Sequence, residues 1–131
     1  MSTESSILVL NFGHPLTPAQ LTALTDQLGA FDVREYPGRH WDLQRPFAEQ
    51  AEEVLDEVGL DPAAWQAAGL VVGLPSLHVA AAALLAAIHG RCGHFPSVLR
   101  LAPVEGGPVT VYELAEVINL EAVRARQRLK R

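Results

Sequence analysis

The chain has 131 residues, of which 49% are hydrophobic and 19% are charged, so it fits one globular domain with a sizeable core. Its net charge of -5 argues against a protein that wraps duplex DNA or RNA, because such binding needs a cationic face. A single cysteine, Cys92, excludes an internal disulfide. No signal peptide precedes the first strand, and the longest apolar run, Val79 to Ile88, is too short to span a bilayer. We therefore expect a cytoplasmic protein without a membrane segment.

The first predicted unit is a buried strand followed by a polar loop and a helix. The stretch "SILVLNF" has the β-branched and apolar content of a strand that is buried on both faces. In "TPAQLTALTDQLG", Thr17 is the predicted N-cap, Pro18 takes the first helical position and Gln20 completes a capping box. Gly29 is the predicted stop of this helix.

A second strand, "FDVREYP", leads into a second helix, "RPFAEQAEEVLDEVG". One face of this helix is apolar and comprises Phe47, Ala51, Val54, Leu55 and Val58. The opposite face is acidic and comprises Glu49, Glu52, Glu53, Asp56 and Glu57, which we interpret as a solvated surface. We expect "DPAAWQAAG" to be a short turn and "LVVGLPS" to be a third strand.

The second half of the chain repeats the alternation of helices and strands. "LHVAAAALLAAIHG" predicts a helix that is apolar nearly all round and is therefore buried on more than one side. "SVLRLAPV" and "VTVYELAEVI" predict two strands joined by the turn "EGGP", and "LEAVRARQRLKR" predicts a terminal helix with a basic last turn. The pattern indicates a single α/β domain over residues 1–131, in which helices flank a mainly parallel sheet. The last two strands form an antiparallel edge pair.

Polar and small residues follow the first and the third predicted strands. These are Asn11, Gly13 and His14 in one loop and Gly73, Pro75, Ser76 and His78 in the other. The carboxyl ends of parallel strands share one sheet edge, where helix N-termini offer unpaired amides, so the two loops suit a phosphate or a nucleobase. The alternative is structural, because such residues also end strands, and Thr17 and Ser76 also serve as helix caps. Neither a Walker lysine motif nor a GxGxxG fingerprint accompanies the loops.

The segment between the second strand and the second helix has no clear regularity. Arg39, His40 and Arg45 flank Trp41 there, and they are candidates for a mobile loop that grips a ligand. Trp41 and Trp65 have the shape to stack on a base, although covering the core is the favoured role for both.

Other chemistries find little support in the sequence. His89, Cys92 and His94 in "HGRCGHF" are potential zinc ligands, but they lie across a helix end marked by Gly90 and Gly93, so we expect a helix cap there. No nucleophile elbow and no close carboxylate pair stands in a strand-end loop, which argues against acyl transfer and glycoside hydrolysis. We expect neither a metal nor a cofactor.

The alanine-rich helix suggests a second copy of the chain. Its six alanines, at positions 80 to 83, 86 and 87, make a smooth surface that allows another helix to approach closely. We expect a symmetric dimer, and the alternative is that this helix is sandwiched within one chain.

Three stretches together resemble a known group of proteins. These are "LNFGHPLTPAQL", "VVGLPSLHVAAAALLAAIHGRCGHFPSVLRL" and "VYELAEVINLEAVR". They are similar to small single-domain proteins found beside type III CRISPR systems, which are related to the CARF-type Rossmann-like sensors and to the ring nucleases. The resemblance covers Ile7 to Arg124. It implies a Rossmann-like, CARF-like domain that forms a homodimer around one cyclic oligoadenylate, with cyclic tetra-adenylate as the first choice.

The resemblance also implies which residues contact the ring. Asn11, Gly13 and His14 form one wall, Leu74, Pro75, Ser76 and His78 form the other, and Arg39 or Arg45 closes over the ligand. The implied function is capture without cleavage: the dimer acts as a sponge that sequesters the messenger and damps type III CRISPR antiviral signalling. We expect Asn11→Ala and Ser76→Ala to weaken binding at a stability cost no larger than that of a helix cap, about 1 kcal/mol.

Three alternatives remain open at this point. The first is a metal-independent ring nuclease that uses in-line attack by a ribose 2′-hydroxyl, with His14 or His78 as general acid or base. The second is a protein-interaction module that binds no nucleotide. The third and weaker one is a mononucleotide or coenzyme binder, for which the sequence does not place an acidic ribose-binding residue.

Overall fold

Strands and helices alternate along the computed structural model, which describes residues 6–37 and 40–131. The strands are β1 (Ile7–Asn11), β2 (Asp32–Glu35), β3 (Gly69–Gly73), β4 (Ser97–Val104) and β5 (Val111–Asn119). The helices are α1 (Pro18–Leu28), α2 (Phe47–Val58), α3 (Pro62–Ala67), α4 (His78–Cys92) and α5 (Leu120–Arg128). No helix in the described ranges is long and apolar enough to cross a membrane.

The strands form one mixed sheet in the order β2-β1-β3-β4-β5. The first four strands are parallel, and β5 runs antiparallel to β4 at the edge. This arrangement confirms the predicted α/β architecture with an antiparallel edge pair, and it is Rossmann-like. Asn11 pairs with Glu35 on one side and with Gly73 on the other, so three parallel strands end in line.

Successive strand residues point to opposite faces of the sheet and build two unequal cores. On one face, Leu10 and Val72 pack in a large cluster with residues of α2, α3 and α4. On the other face, Val9 and Val71 pack in a smaller cluster with residues of α1 such as Leu24. Full burial of one such leucine is worth about 2 kcal/mol, so both clusters contribute substantially to holding the loops at the sheet edge.

The predicted start and stop of α1 are confirmed. The Thr17 hydroxyl accepts from the Gln20 amide at 3.2 Å, and the Gln20 side chain accepts from the Thr17 amide at 3.0 Å, which completes the capping box. Gly29 ends the helix with φ at 73°, in the region that favours glycine.

Two details of the sequence prediction were wrong. The segment expected to be a turn forms α3, because Asp61 caps it by accepting from the Ala64 amide at 2.8 Å and Pro62 takes its first position. Gly90 does not stop α4, which continues to Cys92 and ends at Gly93.

The helix α4 buries one row of side chains and not several. Ala80, Leu84, Ile88 and Cys92 recur every four residues and are buried. Val79, Ala82 and Ala86 are exposed. The prediction that this helix is buried on more than one side is therefore wrong for a single chain, and its outer ridge is open.

Candidate functional site

The loops that follow β1 and β3 meet at the carboxyl edge of the sheet. Asn11 and Gly73 are register partners, and the Phe12 amide continues the ladder by donating to the Gly73 carbonyl at 2.8 Å. On the other side, the Tyr36 amide donates to the Asn11 carbonyl at 3.0 Å. The structure thus brings together the two loops that the sequence suggested for a ligand.

Asn11 braces the first of these loops. Its buried side-chain amide donates to the His14 carbonyl at 2.8 Å and to Glu35 Oε2 at 2.9 Å. Its Oδ1 accepts from the Gly13 amide at 3.0 Å, and Glu35 Oε2 also accepts from the Leu16 amide at 2.8 Å. Because both N–H groups of the Asn11 amide are engaged within the protein, this side chain shapes the loop.

Two glycines allow the loops to approach each other this closely. A Cβ added at Gly73 would lie 2.2 Å from Asn11 Oδ1, and a Cβ added at Gly13 would lie 2.9 Å from the Leu74 carbonyl oxygen. Real Cβ atoms essentially never come within such distances of other heavy atoms. Glycine is therefore required at Gly73 by the brace and at Gly13 by the neighbouring backbone.

A cavity of about 440 Å³ lies between the two loops. Its lining residues are Asn11, Phe12, Gly13, His14, Leu16, Trp41, Gly73, Leu74, Pro75, Ser76, Leu77, Leu99 and Leu101. Seven of the loop residues suggested from the sequence are among them: Asn11, Gly13, His14, Gly73, Leu74, Pro75 and Ser76. Its volume lies within the range of small-molecule sites, about 300–1,000 Å³.

The suggested residues His78 and Arg45 are not brought to this cavity. Within the part of the chain that the structure describes, neither His78 nor Arg45 lines it. His78 begins α4 and is exposed, while the Arg45 guanidinium lies against the Glu53 carboxylate, with Nη1 3.2 Å from Oε2. That carboxylate raises the pKa of Arg45 by hydrogen bonding and by its charge. Arg39 lies outside the described residues.

The N-terminus of α4 opens beside the cavity without a side-chain cap. Leu77 occupies the N-cap position and has no side-chain oxygen that accepts from the first-turn amides. Among the described residues, the Ser76 hydroxyl does not take over this role, so the suggestion that Ser76 caps the helix is wrong. Both Ser76 and Leu77 line the cavity, which places the positive end of the α4 dipole at its wall.

Aromatic and aliphatic side chains form the other walls. Trp41 is 8% exposed and packs edge-on against Phe47, with ring centroids 5.6 Å apart, while Phe12 stacks on Tyr36 at 5.1 Å. Trp41 belongs to the core, which was the favoured role, and it also lines the cavity. Trp65 is fully within the core, beneath the Arg91 guanidinium.

Leu99 and Leu101 are lining residues that the sequence did not reveal. They belong to β4, which pairs with β3 only through Ser97 and Val98 and then runs on past the end of β3. A strand pattern does not show how far one strand overshoots its neighbour, and this overshoot is what brings the two leucines to the cavity.

The cavity wall carries little charge. Among the described residues, His14 is the only lining side chain that titrates, and no lysine, arginine or carboxylate lines the cavity. Polar contacts for a ligand would therefore come from the His14 imidazole, the Ser76 hydroxyl and the backbone amides at the start of α4.

The histidines and the cysteine at the end of α4 have structural surroundings. The His89 ring lies 4.4 Å from the Phe95 ring, and burial raises the pKa of the Cys92 thiol. Over residues 6–37 and 40–131, no group of three or more His, Cys, Asp or Glu side chains is placed to hold a metal.

Comparison with protein families, with curated proteins and with solved structures found no match to this chain.

Proposed function

We propose that two copies of this protein capture one cyclic oligoadenylate, with cyclic tetra-adenylate as the first choice, and release it uncleaved. Such a sponge would lower the concentration of the messenger that reaches effector nucleases and so damp type III CRISPR antiviral signalling. The observation that carries the proposal is the cavity between the β1 and β3 loops, which combines an uncapped helix N-terminus with aromatic walls.

The uncapped N-terminus of α4 supports the binding of a phosphate. Backbone N–H groups at such an end point toward an anion, and the helix dipole favours negative charge there. The Ser76 hydroxyl beside it offers a further donor. These groups bind a phosphodiester without a lysine or an arginine, which fits an acidic protein that selects a small anion over duplex nucleic acid.

The apolar walls support the binding of an adenine. Phe12 and Trp41 supply aromatic surface, and Leu99 and Leu101 supply aliphatic surface. Planar bases gain stacking and burial energy in such surroundings, on the order of 1–3 kcal/mol for each stacked base. A ring of four nucleotides is larger than the cavity of one chain, so the proposal requires a second copy on the other side of the ring.

The open ridge of α4 offers a surface for that second copy. Val79 is 47% exposed, and Ala82 and Ala86 continue the ridge with small side chains. Small residues allow a two-fold related helix to approach closely, and the N-terminal end of this ridge adjoins the cavity. The homodimer is thus part of the proposal, as the resemblance implies.

Capture is favoured over cleavage by the chemistry of the cavity wall. In-line attack by a 2′-hydroxyl is accelerated by a positioned acid and base, and each such group must lie within reach of the reacting atoms. His14 is the one titratable side chain in the described lining, and the second suggested group, His78, lies outside it.

Titration calorimetry with cyclic tetra-adenylate, followed by chromatography of the recovered ligand, tests the proposal. We expect saturable binding of one ring per two chains and recovery of the intact ring. Linear products would instead identify a metal-independent ring nuclease. Absence of both heat and cleavage would overturn the nucleotide proposal, and a His14→Ala, Ser76→Ala double variant that keeps its partners would then indicate an interaction module.

A further inference from the structure

The C-terminal helix α5 is poorly covered by the rest of the chain. None of its residues is buried, and Val123 is 47% exposed. Its attachment is confined to its start, where Leu120 packs against the large core cluster and Glu121 accepts from the Phe95 amide at 3.3 Å. A helix of nine residues is marginal in water on its own, so α5 gains stability if another surface covers it.

Charge is strongly segregated between α5 and the rest of the protein. Residues 1–119 contain 14 carboxylates and five basic side chains, whereas residues 120–131 contain one carboxylate and five basic side chains. Arg124 lies 3.7 Å from Glu121 of the same helix, and Arg126 and Arg128 are exposed. The covering surface that best suits α5 is therefore acidic.

Each copy of the chain carries such a surface on α2. The side of this helix that faces away from the core has five carboxylates within nine residues: Glu49, Glu52, Glu53, Asp56 and Glu57. Arg45 pairs with Glu53, and Arg91 pairs with Asp56 at 2.8 Å. Glu49 and Glu52 are exposed and add to the negative charge of the surface.

We propose that α5 of one copy docks on the acidic face of α2 of a second copy. Arg126 lies three residues after Val123 and therefore on the same side of α5, so Arg126 would face the carboxylates and Val123 would gain cover. Every copy carries a basic α5 and an acidic α2. The α5 helix of one copy can therefore bind the α2 helix of an identical copy.

The α5 side of this contact lies away from the cavity. β5 runs antiparallel to β4 and ends at Asn119, opposite Ser97 at the start of β4. α5 therefore begins at the amino edge of the parallel strands, and the cavity lies at their carboxyl edge. Docking through α5 can accordingly join copies beyond the pair that encloses a ligand, and it goes beyond the proposed capture function.

Charge reversal on the two helices tests the docking. One variant carries Arg126→Glu, and the other carries Glu49→Lys and Glu52→Lys. Sedimentation velocity of the full chain without ligand, at low salt, measures the association. We expect each variant to associate about tenfold more weakly than the parent, because exposed ion pairs become repulsive. An equimolar mixture of the two variants should regain association.

Two controls separate docking from general effects of charge and folding. Glu105→Lys with Glu113→Lys changes the net charge as much as the α2 variant does, on exposed hairpin residues, and it should leave association unchanged. Circular dichroism should show the parent helix content in every variant. Raising the salt concentration should weaken the association of the parent.

Three results would overturn the docking. The first is a parent protein that shows no salt-sensitive association across the concentration range, and the second is a mixture of variants that fails to regain association. The third is binding of single-stranded RNA that is lost in the α5 variant, with association unaffected by reversal on α2, which would assign the basic helix to nucleic acid. Calorimetry with cyclic tetra-adenylate tests ligand capture and sedimentation tests docking, so either proposal can fail without the other.

Discussion

Two helices begin at the same edge of the sheet, and their N-termini differ. At the start of α1, Thr17 and Gln20 form a reciprocal capping box that satisfies two backbone amides. At the start of α4, Leu77 provides no side-chain acceptor, and the neighbouring Ser76 does not supply one. Both helices follow a parallel strand of the sheet, yet one end is closed by its own residues and the other is left open.

The difference shows that position at the carboxyl edge is not enough to make a helix N-terminus available to a ligand. The dipole and the amides are present in both helices, but a capping box already occupies part of the binding capacity of α1. The capping box of α1 instead stabilises the loop after β1, together with the hydrogen bonds that Asn11 and Glu35 make to that loop. The loop after β1 thus forms a rigid wall of the cavity. The loop after β3 leads into the uncapped N–H groups of α4, which are available to a ligand.

The largest loss of stability is expected when the contact between the loops is overpacked. Gly73→Ala places a methyl group 2.2 Å from Asn11 Oδ1, and Asn11 cannot move aside while His14 and Glu35 hold its amide. We expect a loss of about 3 kcal/mol in the free energy of unfolding, measured by urea denaturation. Gly90→Ala is the matched control, because nothing lies within 4 Å of its new methyl group in α4, and it should be neutral or stabilising.

Removing the brace itself should have the next largest effect. Asn11→Ala leaves the Gly13 amide and the His14 carbonyl without their side-chain partner, so we expect a loss of about 2 kcal/mol in urea denaturation. This exceeds the cost of a helix cap that the sequence led us to expect, because the amide makes three hydrogen bonds. A loss below 0.5 kcal/mol, on the order of a neutral surface change, would contradict the brace.

Removing the N-terminal cap of α1 should lower stability and leave ligand affinity unchanged. Thr17→Ala removes the hydroxyl that accepts from the Gln20 amide, and we expect a loss of about 1 kcal/mol in thermal or urea unfolding. The affinity for cyclic tetra-adenylate should stay within twofold of the parent, about 0.4 kcal/mol. A large fall in affinity with unchanged stability would mean that α1, and not α4, contacts the ligand.

Adding a carboxylate at the uncapped N-terminus of α4 should abolish ligand binding without lowering stability. Ser76→Asp adds a carboxylate at the N-terminus of α4, which favours the helix dipole by about 0.3–1 kcal/mol and repels a phosphate from the same place. We expect unchanged or slightly higher thermal stability and loss of ligand binding by calorimetry. Ser76→Ala, which adds no charge, should weaken binding less. Parent-like affinity in Ser76→Asp would place the anion elsewhere.

The parts of the fold that were predictable depend on local signals. Thr17, Pro18 and Gln20 mark the start of α1 within four residues, and Gly29 marks its end, so no distant contact is needed to place this helix. β1 and β3 were visible as apolar runs for the same reason. α3 carries a comparable start at Asp61 and Pro62, but its six residues are too few for a periodic pattern to show.

The parts of the site that were not predictable depend on distant contacts. Glu35 braces the first loop only because β2 aligns it with Asn11, 24 residues away. Leu101 reaches the cavity only because β4 overshoots β3. The position of the two loops was predictable, because the ends of parallel strands share an edge. The uncapped N-terminus of α4 was not, because it depends on Leu77 occupying the N-cap in place of Ser76.

The contrast between the two helix ends can be tested directly by amide NMR during titration with cyclic tetra-adenylate. We predict that the largest changes in chemical shift occur at the amides of Gly13, His78, Val79 and Ala80. The amides of Ala19 and Gln20, at the capped start of α1, should change little. The largest changes at the start of α1 or in α5, or no changes at saturating ligand, would contradict the assignment of the open α4 terminus as the phosphate-binding end.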